Sequence, residues 1–223
     1  MIIYKDFIIL GEYMKIYLNK KFNKFSKNDL IDNYLSIKLF LGHIPSITEF
    51  QLNSNISANL YINSFGSWYD FLDVMNDLTS QQKNYPTIVT SFLEFLEKTK
   101  MTKSYKMGLI LSVFDEDLKK ETSLVKIINN FKNIYKELPF KSDFIGKKFK
   151  DLEEWKNHEY EILLLSFPIK YLTANKETKN FFQFINNNFI LDENLYFYIK
   201  YNNTILEEVM DRINFRILYY FKN

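Results

Sequence analysis

No cysteine occurs among the 223 residues, which excludes a disulfide, a thiolate nucleophile, an iron–sulfur cluster and a cysteine zinc site. The simplest compartment for such a chain is the cytoplasm. Glycine and proline are scarce, at 5 and 4, which disfavours a turn-rich sandwich and favours helices. Of histidines there are 2, His43 and His158, far apart in sequence; by themselves they cannot make a histidine-rich metal site, and a His-Asn-His nuclease pattern is missing. Charge of one sign is also lacking. A formal net charge of +2 is too small to imply nucleic acid or membrane, so any binding argument rests on local clusters. No apolar run approaches the length of a membrane span, and the start, Met1 to Asp6, carries an acid where a signal peptide needs basic and then apolar residues. A soluble intracellular protein with no membrane partner is expected.

The residue patterns of common chemistries are equally thin. A phosphate-cradling loop ends in Gly-Lys-Ser/Thr. The nearest string, Ile145-Gly146-Lys147-Lys148, lacks the first glycine and the hydroxyl, and no Asp-Glu-Ala-Asp-type box occurs. Carboxylates cluster at Asp115-Glu116-Asp117, Glu153-Glu154 and Glu207-Glu208, each where a loop or helix cap accounts for it. Gly66-Ser67 lacks the second glycine of a nucleophile elbow, and its serine already has a capping role. The expectation is a protein that is not an enzyme and has no catalytic residues, no cofactor and no metal.

What the chain does have is aromatic weight, with Phe 22 and Tyr 16, and clear helix punctuation. Residues 1–27 read as an N-terminal helix and basic arm: Ile8, Ile9, Leu10, Tyr13, Met14 and Tyr17, followed by Lys20, Lys21, Lys24 and Lys27. From Asp29 to Leu41 the apolar residues keep the helix period. Gly42 can take the positive φ that closes this helix, Pro45 cannot continue it, and Ser46 with Glu49 reads as the capping box of the next. Phe65-Gly66-Ser67-Trp68 repeats the device: Gly66 turns, Ser67 with Asp70 caps, and Phe65 and Trp68 anchor either side. Residues 78–87, polar and containing Pro86, read as the linker between a unit at 28–77 and a domain at 88–223.

The spacing in the first unit resembles a known family. Gly42, Pro45, Ser46, Phe50, Phe65, Gly66, Ser67 and Trp68 stand in register with the small helical repeat that accompanies HNH homing endonucleases. The resemblance implies a compact DNA-binding helical unit. Two positions depart from it: the family often places basic residues after the first glycine and before the phenylalanine, where this chain has His43 and Ser64.

In the second domain a helix over 87–98 leads into a lysine cluster, Lys98, Lys100, Lys103 and Lys106, with Thr102 as the expected cap of the helix that follows. Lysines at a helix start oppose the macrodipole by about a few tenths of a kcal/mol each, so the cluster reads either as the site of a bound anion at the free N–H groups or as a simple solvated face. Aromatic residues at helical spacing are far more often core than stacking platforms; Tyr105, between Lys103 and Lys106, is the one to test for stacking on a base. Further on, Thr122 or Ser123 starts a helix stopped by Pro139, and residues 140–151 read as basic loop. Asp151 with Glu154 caps a helix through Trp155, and Pro168 begins a short one. Residues 181–185 and 189–191 flank Asn186-Asn187-Asn188 as a hairpin, and Thr204 with Glu207 caps a long last helix.

This half resembles the C-terminal region of large bacterial DEAD/DEAH-box (superfamily 2) helicases, through Met101–Met107, Phe167–Leu172, Phe181-Phe182 with Phe189–Leu191, and Phe215–Phe221. In those proteins a repeat like that at 28–77 precedes it. The fold class expected is mainly α: a small helical DNA-binding-like unit, then a second helical domain with a short, winged-helix-like β-hairpin. The function expected is a non-catalytic accessory module of a restriction or phage-defence system that binds duplex DNA through Ser46, Ser67, Lys98, Lys100, Thr102, Lys103, Tyr105 and Lys106. The alternative is a module docking on a helicase or nuclease partner. A third reading is a fragment of a longer protein, since no motor is present though Met1 looks like a natural start.

Overall fold

The computed structural model describes residues 25–115, 117–137, 139–144, 155–175 and 178–222. The expected arm up to residue 24, the Gly146-Lys147-Lys148 string and the Asp151–Glu154 cap lie outside them. Helix α1 spans Lys27–Leu41 and starts just before the expected Asp29, because Ser26 and Asp29 form a reciprocal capping box. It ends where Gly42 takes φ 75°. Ser46 and Glu49 make the expected box for α2 (Ile47–Asn53), and Ser57 caps α3 (Ala58–Phe65). At Gly66, φ is 110° and a Cβ would meet the Asp70 carboxylate at 2.6 Å, so the turn requires glycine. Ser67 then caps α4 (Trp68–Val74), accepting from the Asp70 N–H at 2.9 Å.

Helices this short cannot stand alone in water, so packing must hold them. Tyr34, Phe50, Tyr61, Trp68 and Phe71 meet at the centre, all fully buried, with most rings tilted or edge to face. The Tyr34 and Tyr61 hydroxyls stay satisfied by donating to Asp77 and to the Leu30 carbonyl, each at 2.7 Å. After this core, residues 78–87 are tied down on both sides: Leu78 is buried in it, and the Gln82 side chain donates to Glu208 at 2.6 Å.

The second core begins with α5 (Thr87–Lys98) and α6 (Tyr105–Val113), then β1 (Glu121–Ser123), α7 (Leu124–Tyr135) and a 3-10 turn at Phe140–Phe144. Next come α8 (Asn157–Leu164), a π turn at Leu165–Ile169 and α9 (Lys170–Ala174) as one continuous rod. The chain continues through β2 (Phe182–Ile185), β3 (Asn188–Leu191), α10 (Glu193–Tyr201) and α11 (Asn203–Lys222). The β2–β3 turn places Asn186 and Asn187 at φ 51° and 59°, the left-handed pair that a two-residue hairpin needs. Strand β1 adds antiparallel to β3, Thr122 opposite Phe189, to give the sheet order β1-β3-β2. The protein is thus mainly α-helical, with a small antiparallel sheet in a winged-helix-like unit.

Four local expectations are corrected. Thr102 does not cap α6; Ser104 stands at the cap position, without a side-chain cap bond. Pro168 does not begin a helix, since the π turn carries the rod through it. Thr204 lies inside α11, and Asn202 accepts from the Ile205 N–H at 3.3 Å instead. Trp155 stands before α8, which begins at Asn157 instead of running through it, and α10, capped by Asp192, covers a stretch given no element in the sequence.

Helix α11 joins the two cores. Val209, Ile213 and Ile217 belong to the second, while Phe215 on another face belongs to the first.

Candidate nucleic-acid interface

The starts of α2, α4 and α6, next to the binding residues expected from the sequence, are occupied by this chain's own carboxylates. At α2, Asp211 of α11 accepts from the Ser46 hydroxyl at 2.9 Å and from the N–H groups of Ile47 and Thr48 at 3.1 and 3.2 Å. At α4, Glu97 of α5 accepts from the Trp68 N–H at 2.8 Å. At α6, Asp143 accepts from the Ser104 N–H at 2.6 Å and from the Tyr220 hydroxyl at 2.7 Å. Each carboxylate sits where a helix dipole favours an anion. The anion that the lysine-rich start of α6 called for is therefore Asp143, and Ser46 and Ser67 stand at ends closed from inside.

Glu97 is fully buried, and its other oxygen accepts from the Arg212 Nε at 3.0 Å. Arg212 also bonds Glu208, and reaches Asp211 at 3.1 Å. Burial alone would pull the Arg212 guanidinium down, but Glu208, Glu97 and Asp211 together raise it, so it stays charged. Burial pushes the Glu97 carboxyl up against the opposing pull of Arg212. This ion cluster holds α4, α5 and α11 together.

The lysine cluster is mostly committed. Lys98 pairs with Glu94 at 2.6 Å, and Lys103 donates to the Asp143 carbonyl at 3.0 Å. Lys106 donates to the Thr99 hydroxyl at 3.0 Å, and its ammonium is pulled below the usual lysine range by burial and then by Arg216. Arg216 in turn donates to the Thr99 carbonyl at 2.5 Å and lies over the Tyr219 ring. Lys100 is exposed and has no such bond among the described residues. Thr102 is exposed, and its carbonyl accepts from Tyr220. Tyr105 is not a stacking platform: it is buried against Phe131, Tyr135 and Phe144, and its pKa is pushed up to about 12 by burial and then by Asp143. The loop before α6 therefore offers a thin positive rim rather than a built anion site.

Sequence reasoning missed Asp211, Glu97, Asp143 and Arg212. A signal was present for two of them. Glu97 follows Leu96 on the buried stripe of α5, and Arg212 lies between Val209 and Ile213 on that of α11. Charged residues almost never sit fully buried unless paired.

The short capped helices, the glycine bends and the aromatic core together define the first unit. Residues 25–74 match the family model of the homing endonuclease associated repeat. In this repeat Gly42 and Gly66 take the positive φ, Pro45 precedes the α2 cap, and Phe50 and Trp68 form the core, as the sequence motif requires. Phe65 is half-buried on Phe71, with Lys27 over its ring. His43, one of the departures, is exposed and 3.4 Å from Glu49. No curated protein and no solved structure matches the chain. Among the described residues no group of three or more His, Cys, Asp or Glu could hold a metal, and no helix is long and apolar enough to cross a membrane.

Proposed function

We propose that this protein is a non-catalytic nucleic-acid-binding accessory module that works beside a helicase or nuclease, as in restriction or phage defence. The observation carrying this reading is the pairing of two units in one chain: a homing endonuclease associated repeat and a helix–strand–helix–helix–hairpin unit with sheet order β1-β3-β2. The order of parts, repeat before a helical domain with a hairpin, resembles that described above for superfamily 2 helicases, and by this analogy of arrangement it supports reading the module as one that works beside such a motor. The motor itself is not carried over, since the sequence lacks the phosphate loop.

Fluorescence anisotropy of labelled duplex and single-stranded DNA, titrated from low to physiological salt, tests the reading. Micromolar binding that weakens with salt supports it. Absence of binding to either DNA at low salt overturns it in favour of a protein-docking module. One observation favours that second reading: α1 carries Leu39 and Phe40 exposed to 84% and 75%, an apolar surface better suited to a protein than to phosphates. A partner captured from the source cell and retained after nuclease treatment would support it.

A further inference from the structure

The rod α8–α9 follows β1 and α7, the place of the groove-reading helix in a helix-turn-helix arrangement. Its outward face is not suited to reading a groove. Ile162, Phe167 and Tyr171 are exposed to 51%, 49% and 58%, and such side chains offer little of the hydrogen bonding that distinguishes base edges.

Phe167 is outside for a structural reason. It lies four residues after Leu163 and three after Leu164, both buried, and in an unbroken α-helix those spacings share one face. The π turn takes in an extra residue. The buried stripe steps from Leu163 and Leu164 to Pro168 and Ile169, five residues on, and Phe167 is turned out beside Ser166, Lys170 and Tyr171. Turns of this kind recur at functional sites, and this one exposes an aromatic ring that a regular helix would bury.

Charge on the rod is polarised. Lys170 and, just beyond α9, Lys179 are exposed and have no carboxylate partner among the described residues. The acids Glu159 and Glu161 lie at the other end, where Glu159 is committed to the Lys156 N–H. An anionic ligand is therefore favoured on the C-terminal half, where the two rings are.

We propose that this face binds single-stranded nucleic acid, with unpaired bases stacked on Phe167 and Tyr171 and the adjoining phosphate against Lys170. The inference rests on the nucleic-acid reading above and names its ligand. Interleaved rings and a cation are how unpaired strands are held, because every base has a π-face once it leaves the duplex. A continuous duplex shows no such face.

The test compares wild type with Phe167→Ala/Tyr171→Ala, using labelled oligothymidylate and a labelled duplex of equal length at one salt concentration. Both side chains are exposed, and circular dichroism checks that the fold is kept. Loss of two stacked bases should weaken oligothymidylate binding by about tenfold or more while duplex binding stays within twofold. A Phe167→Trp variant should have its indole fluorescence quenched by oligothymidylate. Unchanged oligothymidylate affinity in the double variant, or an equal loss on both probes, overturns the stacking site and leaves the broader function standing. If wild type binds neither probe, both readings fall together.

Discussion

In the repeat, the groups best suited to hold a phosphate are turned inward: the starts of α2 and α4 are closed by Asp211 and Glu97. In the winged-helix-like unit, Phe167, which a regular helix would bury, is turned outward with Tyr171 beside a lysine that has no carboxylate partner among the described residues. The difference teaches that the same local signal can serve assembly in one place and recognition in another. A capped helix start attracts an anion whatever its source, and here the source is often another part of the chain.

The comparison is broken most severely at the ion cluster. Glu97→Ala leaves Arg212 buried beside a helix end without its carboxylate, and should cost about 3–5 kcal/mol in a urea melt. Little or no loss there would mean that the cluster does not join the units.

A second expectation concerns alkaline pH. Tyr85 is pushed up to about 12 by burial and then by Glu208, and Tyr105 to about 12 by burial and then by Asp143. Both folded values lie above the unfolded one, so the stability these groups contribute is complete below about 10 and lost as pH rises through 12. Tyrosinate absorbance should therefore rise together with loss of helical circular dichroism. Full ionisation of the tyrosines with the helices intact would contradict the packing.

Asp211→Ala should cost about 1–2 kcal/mol, the scale of a lost helix cap. It also sharpens the contrast between the units. With the α2 start emptied, duplex affinity should stay unchanged if that end serves assembly; a clear gain would reveal a phosphate site held shut by Asp211.

Changing Lys98, Lys100, Lys103 and Lys106 together to Gln tests the thin rim. Full engagement of all four would flatten the log–log salt dependence by about 3.6, whereas Lys100 alone gives about 0.9. The internal bonds of Lys98, Lys103 and Lys106 favour the smaller value. Smallest of all, Phe167→Ala should move stability by less than about 0.5 kcal/mol, as expected for a side chain that packs little.

Much of the fold could be read in the residues, because its devices are local. The Ser46/Glu49 box, the Ser67 cap, the positive φ at Gly42 and Gly66, and the Asn186-Asn187 turn are set within a few neighbours. What could not be read was set at a distance. Ser46 meets Asp211 across a separation of 165 residues, and Ser104 meets Asp143 across 39. The helix starts were visible, but the identity of their anion was not. Tyr105 illustrates the same limit: flanking lysines suggested a wet ring, yet contacts with Phe131, Tyr135 and Phe144 decide its burial. Strand β1 is only three residues long and exists because β3 pairs with it, so its own sequence carries little signal.

Helix α11 also bears on how the protein is made. The repeat is translated before α11, yet Phe215 of its core and Asp211 at its α2 start belong to that later helix. The repeat is thus completed only once α11 has been made. Until residues 203–222 have emerged, nascent chains carry a repeat with an open core and an uncompensated helix end, and a holding chaperone would find its target there.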